Sequence, residues 1–207
     1  VAKSAFWVTK KRYGQWIIND GGLTCDKLDV KGLDIVRSSF PPAMRELMTG
    51  VLKDILGDVD KDIIDEKILK FKKEMKTTDI QNIALPTGVR KLSKFKDITP
   101  RDAVFTSMKK STPVHVKAAY VYNDLLKYWS LNNFEQIKSS EKIKWVYLKP
   151  NPMNVKQIAF KGYDDPPKIM EFIEQNIDYD KLFTRALEKK IRMFYEALKW
   201  DMPVDKL

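Results

Sequence analysis

Three consecutive cations, Lys10, Lys11 and Arg12, stand directly before a phenol, Tyr13, in the stretch TKKRYGQW. Ammonium and guanidinium groups donate hydrogen bonds to anionic oxygens and base-edge acceptors, and an aromatic ring packs on a sugar, so the chemistry on offer is recognition of a polyanion. The surrounding residues from Ala5 to Ile18 are rich in aromatic and β-branched side chains, which predicts a β-strand running through the cations. In such a strand Lys11 and Tyr13, two residues apart, share one face. The same pattern suits an edge strand whose lysines discourage aggregation, and the residues alone leave both readings open.

Other chemistries find less support. With a single cysteine, Cys25, and a single histidine, His115, this sequence holds no zinc site of two or more thiolates and no two-histidine metal motif. A Cys25/His115 nucleophilic pair is formally allowed, but a lone cysteine reads first as a small inert side chain. Asp58-Val59-Asp60-Lys61-Asp62 begins like a calcium loop, yet Ile63 stands where glycine is needed and Leu69 where the bidentate glutamate is needed. Asp58 and Asp60 also mimic the paired aspartates of two-metal nucleotidyl transfer, but they sit in a helix–helix connection and read as capping residues. Neither a G-x-x-x-x-G-K-[ST] loop nor a G-x-G-x-x-G turn occurs, so nucleoside triphosphatase and dinucleotide chemistry have no support.

The elements that must position the cations follow from periodicity. The strand segment ending at Ile18 meets the turn signal Asn19-Asp20-Gly21-Gly22 and resumes at Leu28, Val30 and Leu33, predicting a hairpin or two paired strands. From Ser39, read as the N-cap with Pro41 and Pro42 in the first turn, Met44, Leu47, Met48, Val51, Leu52, Ile55 and Leu56 fall on one helical face until Gly57. A second amphipathic helix is expected over 61–76, with Ile64, Ile68, Phe71 and Met75 inward. Residues 77–113 lose periodicity and read as loop-rich. A third helix is expected over 114–131 with Ala118, Val121, Leu125 and Tyr128 inward. A half-buried strand follows over 142–149, then a turn at Asn151-Pro152 and a returning strand over 155–160. The last helix is expected over 179–200, with Phe183, Leu187, Ile191, Phe194 and Leu198 as its core stripe.

A formal charge of +10 over 207 residues gives the chain a field that attracts nucleic acid or an anionic surface. No run approaches the roughly 18 apolar residues of a bilayer span, and the N-terminus lacks secretory zones, so a cytoplasmic protein with no membrane partner is expected. The chain opens Val1-Ala2-Lys3 without an initiator Met, and a piece of something larger is expected. Charge is uneven. Between Pro86 and Tyr120, Arg90, Lys91, Lys94, Lys96, Arg101, Lys109, Lys110 and Lys117 face only Asp97 and Asp102. On the last helix Lys181, Arg185, Lys189 and Arg192 recur as a basic stripe. Each surface taken singly reads first as a solvated face, and the two together with the triple cation shift the balance towards a polyanion.

The stretch FWVTKKRYGQWIINDGG followed by KLDVKGLDIVRSSFPPAMRELM resembles the end of the palm and the start of the thumb in family B DNA polymerases, most closely those of T-even-like bacteriophages. There a K-K-R-Y motif precedes a K-G-[LI]-[DE]-x-x-[RQ]-[RS]-S element and a long helix. GVRKLSKF is similar to a thumb segment near the DNA backbone, TPVHVKAAYVYNDLL to the family's P-x-H-I-R-G-x-x-x-Y-N, and KIKWVYLKPNP to its strand and turn near the thumb tip. Lys117 and Ala118 depart from the usual Arg-Gly, exchanging a bidentate fork for a point charge.

The resemblance implies an α+β fold: a short palm-derived antiparallel β-element at residues 1–37, then a mainly helical thumb with a small β-subdomain at 38–207. It implies primer-terminus contacts at Lys10, Lys11, Arg12 and Tyr13, with Lys11 reaching the minor groove. Contacts to the DNA backbone fall on Arg90, Lys91, Lys94, His115, Lys117 and Lys189. The partner is primer-template DNA in replication. The nucleotidyltransferase chemistry, with Mg²⁺ on catalytic aspartates, lies upstream in such enzymes, so this piece is expected to be inactive alone and to bind no cofactor. A C-terminal peptide that docks on the sliding clamp would follow Leu207, and a phage source would place the protein in the host-cell cytoplasm. A freestanding, sequence-indifferent nucleic-acid-binding module and a protein-docking role remain the alternatives.

Overall fold

Asn19 and two glycines turn the chain early. The Gly22 amide donates to Asn19 Oδ1 at 3.0 Å, and Gly21 and Gly22 take φ values of +61° and +93° that only glycine adopts without strain. The computed structural model describes residues 1–95, 106 and 108–203. Within them the fold is α+β, with two three-stranded antiparallel sheets and helices packed against them. The chain divides into two compact units, residues 1–83 with 183 onward, and residues 84–182.

The first unit opens with β1 (Ala2–Thr9), β2 (Arg12–Asp20) and β3 (Leu23–Lys31), in that spatial order. The expected strand through the cations is therefore two strands, and Lys10-Lys11 form the turn that joins them. Facing residues are Phe6 with Gly14, Trp7 with Tyr13, and Thr9 with Arg12. Neither turn lysine has positive φ, and the register slips between Trp7 and Thr9. A two-residue turn without positive φ does not match strand twist, and a bulge beside it absorbs the mismatch.

The sheet's inner face carries Phe6, whose ring meets Phe194 edge-on at 5.3 Å. Helix α1 (Pro42–Leu56) begins one residue after Pro41, which occupies the N-cap in place of the expected Ser39. Its buried Met44, Leu47, Met48, Val51, Leu52 and Leu56 are the residues expected from spacing, while Ile55 is half-buried. Gly14 lets α1 approach β2, because a Cβ there would lie 2.7 and 2.9 Å from the two Leu52 methyl carbons. Leu52 is fully buried and cannot swing aside. Gly14→Val is therefore expected to destabilise this unit by about 1–3 kcal/mol through overpacking, read as a lowered urea midpoint with unchanged slope. Helix α2 (Lys61–Glu74) buries Ile64 and Ile68, and a short α3 (Ile80–Ile83) closes the segment. Tyr195 donates to Asp65 Oδ1 at 2.5 Å, and burial, reinforced by that carboxylate, pushes its phenol pKa up.

The second unit contains order within the stretch read as loop. There β4 (Leu85–Gly88) pairs with β5 (Lys142–Tyr147), which pairs with β6 (Gln157–Phe160). Four residues with Pro86 and Gly88 carry too little periodicity to announce a strand, and the partner β5 lies far along the chain. Helix α4 (Val114–Tyr128) packs on β5 and β6 and buries Val116, Ala118, Ala119, Val121, Tyr122, Leu125 and Leu126. Tyr128, expected inward, is 53% exposed because the helix ends there. Asn151 holds the β5–β6 turn by donating to the carbonyls of Lys149 and Val155. Helix α5 (Pro167–Asn176), absent from the sequence reading, buries Ile169 and Ile173.

The expected last helix is three consecutive elements, α6 (Tyr179–Phe183), a π-helical turn (Thr184–Glu188) and α7 (Lys189–Leu198). Phe183, Leu187, Ile191 and Phe194 are buried as the stripe requires, and Leu198 is half-buried.

Candidate nucleic-acid interface

Two basic surfaces emerge, one on each unit. On the first, Lys10, Lys11 and Arg12 are exposed at the β1–β2 tip. Tyr13, half-buried, stacks on Trp7 across the strands, with ring centres 4.3 Å apart at 33°. Trp7 remains 55% exposed, so this large aromatic face is open to a ligand beside three cations. Sequence reasoning passed over Trp7; placing the turn at Lys10-Lys11 would have found it, since that register sets Trp7 opposite Tyr13. Arg12 is partly engaged, its Nη1 lying 3.4 Å from Met193 Sδ. Lys11 and Tyr13 do not share a strand face, because Lys11 belongs to the turn.

On the second unit Arg90, Lys91 and Lys94 are exposed along a segment running from β4 into a 3₁₀ turn at Leu92–Phe95. The backbone of this segment is anchored on several sides. The Val89 amide donates to the Glu141 carbonyl at 2.9 Å and the Val89 carbonyl accepts from the Ser140 amide at 2.6 Å, the Leu92 amide donates to Ser139 Oγ, and the Tyr120 hydroxyl donates to the Leu92 carbonyl at 2.8 Å. Lys109 Nζ donates to the Lys94 carbonyl at 2.9 Å. Tyr120 thereby ties the segment to α4, whose first turn carries His115 and Lys117, both half-buried. Burial lowers the His115 pKa, so near neutral pH it offers a hydrogen bond and no charge. Pro113 caps α4 without a side-chain hydrogen bond. Lys96, Asp97, Arg101 and Asp102, which belong to the same basic stretch, lie outside the described residues.

The basic stripe expected along the last helix is interrupted. The spacing of Lys181, Arg185, Lys189 and Arg192 presumes a uniform 3.6 residues per turn, which the π turn breaks. Lys181 lies over the Tyr147 ring at 5.1 Å and Arg192 pairs with Glu188 at 2.9 Å. Arg185 and Lys189 are exposed. Of the acidic candidates, Asp60 precedes α2 as its N-cap residue and Asp58 takes a left-handed φ of +58° after Gly57, which is connection geometry. Cys25 is half-buried, its thiol 3.5 Å from the Ile17 carbonyl.

Among the described residues no helix is long and apolar enough to cross a membrane. The family model described as DNA polymerase family B matches residues 1–197. No curated protein matches the chain.

Proposed function

The chain belongs to DNA polymerase family B, and from that premise we propose that it supplies the duplex-holding end of such an enzyme, the end of the palm at residues 1–37 and the thumb at 38–207. The observation that carries the reading is the tip of the first hairpin, where exposed Lys10 and Lys11 stand beside the Trp7–Tyr13 ring pair. Lys11 donates to purine N3 or pyrimidine O2 at the primer end, acceptors that every base pair presents in the minor groove. Lys10 and Arg12 hold flanking phosphates, and Tyr13, backed by Trp7, packs on a sugar. Arg90, Lys91, Lys94, His115, Lys117 and Lys189 hold the DNA backbone elsewhere, contacts that position the duplex without reading it.

Such enzymes imply divalent metal ions on carboxylates. Among the described residues no group of three or more His, Cys, Asp or Glu is placed to hold a metal ion. We assign the catalytic carboxylates to an upstream part of the parent enzyme. The affinity to T-even-like phage enzymes, a host-cell cytoplasmic location and clamp docking through a following peptide rest on the resemblance of sequence segments. The chain by itself is expected to bind duplex DNA of any sequence but to extend no primer when given Mg²⁺ and all four nucleotides. Gel analysis of a labelled primer decides this, and extension by the pure chain overturns the domain assignment.

A further inference from the structure

We propose that Gly32 is a positioning residue for the Lys10-Lys11 turn, setting by direct backbone contact where Lys11 stands; the inference rests on the duplex-holding role proposed above. Gly32 follows β3 with φ +69°, and a Cβ added to it would lie 2.1 Å from the Lys11 carbonyl oxygen and 3.2 Å from Arg12 Cγ. An ordinary C···O contact is about 3.3 Å, so a side chain of any size displaces something by on the order of 1 Å.

The surroundings decide which partner moves. Before Gly32, Lys31 is held in register opposite Tyr13. After it, Leu33 is 1% exposed and Ile35 is buried. Asp34 is further held by Arg37 at 3.1 Å and Lys190 at 3.8 Å. The glycine therefore sits on a clamped segment, whereas Lys10 and Lys11 are an exposed two-residue turn. The turn yields first, and Lys11 with it. Gly32 acts chiefly through the Lys11 carbonyl, by far the closest atom to its Cβ position, with Arg12 Cγ a looser second contact.

The test uses the full polymerase that carries this region. Gly32→Ala is expected to lower single-turnover extension of a matched primer to within a few-fold of the Lys11→Ala rate, with duplex affinity changed little. Combining the two substitutions adds no further loss, because both act through one side chain. Backbone strain alone is controlled by Gly21→Ala. Gly21 has nearly the same φ, +61°, but a Cβ there meets nothing within 4 Å, so extension by this variant stays at the parental rate. Circular dichroism melting shows whether each variant is folded. If Gly32→Ala melts early, Gly32→Asn, which tolerates a left-handed φ yet keeps the clash, is measured instead and is expected to fail in extension the same way. Parental extension by folded Gly32→Ala or Gly32→Asn, or additive losses in the double variant, overturns the inference. Parental extension by Lys11→Ala would instead overturn the duplex-holding role on which it rests.

Discussion

Lys11→Ala, placed in a polymerase carrying this region, is expected to slow extension from a matched primer about 10- to 100-fold, the cost of losing one charge-assisted hydrogen bond of roughly 1.5–3 kcal/mol at the reacting end. Overall DNA affinity changes only a few-fold, since the remaining cations still neutralise phosphate. The split follows from position: Lys11 lies at the exposed tip of a tight turn, whereas Arg90, Lys91 and Lys94 lie along a separately anchored segment. Minor-groove acceptors occur at the same place in all four base pairs, so the lost contact reports pairing geometry and is blind to sequence. Lys189→Ala is expected to do the reverse, lowering affinity uniformly with extension from bound primer preserved. Single-turnover incorporation and equilibrium binding on the same DNA separate the two. Parental extension by Lys11→Ala would reduce the hairpin tip to a charged edge that deters aggregation.

Why the turn itself escaped the sequence is instructive. Hairpin turns of two residues usually announce themselves with Gly or Asn, and Asn19 to Gly22 did so. Lys10-Lys11 carries no such signal, because the turn avoids positive φ and lets the Trp7/Thr9 bulge take up the twist. Uninterrupted aromatic and β-branched residues on both sides then read as one strand. Helix α1 was legible because its stripe meets the core along its whole length and two prolines mark its start. Strand β4 was not, since its four residues owe their conformation to pairing with β5, a non-local contact that a window along the chain cannot register. The π turn escaped for a related reason: the apolar stripe survives it, so nothing in the hydrophobic pattern signals that the basic stripe has slipped. Of the candidate site residues, the cations are legible from charge and from family resemblance, while Trp7 and Gly32 stand out only in the fold. Their significance is a cross-strand neighbour in one case and a 2.1 Å approach in the other.

Salt should be the most sensitive probe of the whole surface. Each phosphate neutralised in duplex DNA releases about 0.9 counterion, so engagement of several of the named cations gives a log–log slope of about −3 to −6. Raising monovalent salt from about 50 to 200 mM then weakens binding by the isolated chain roughly 60- to 4,000-fold, with no dependence on duplex sequence. The residues predict how that slope divides. Lys91→Ala and Lys94→Ala each remove an exposed charge from an anchored backbone, and each should flatten the slope by about one contact. His115→Ala should lower affinity without changing the slope, because burial keeps the imidazole neutral and a neutral donor releases no counterion. Fluorescence anisotropy at four salt concentrations, on two duplexes of unrelated sequence, measures all three. A slope near zero would mean that these cations do not meet phosphate, and the surface would then be one that docks protein.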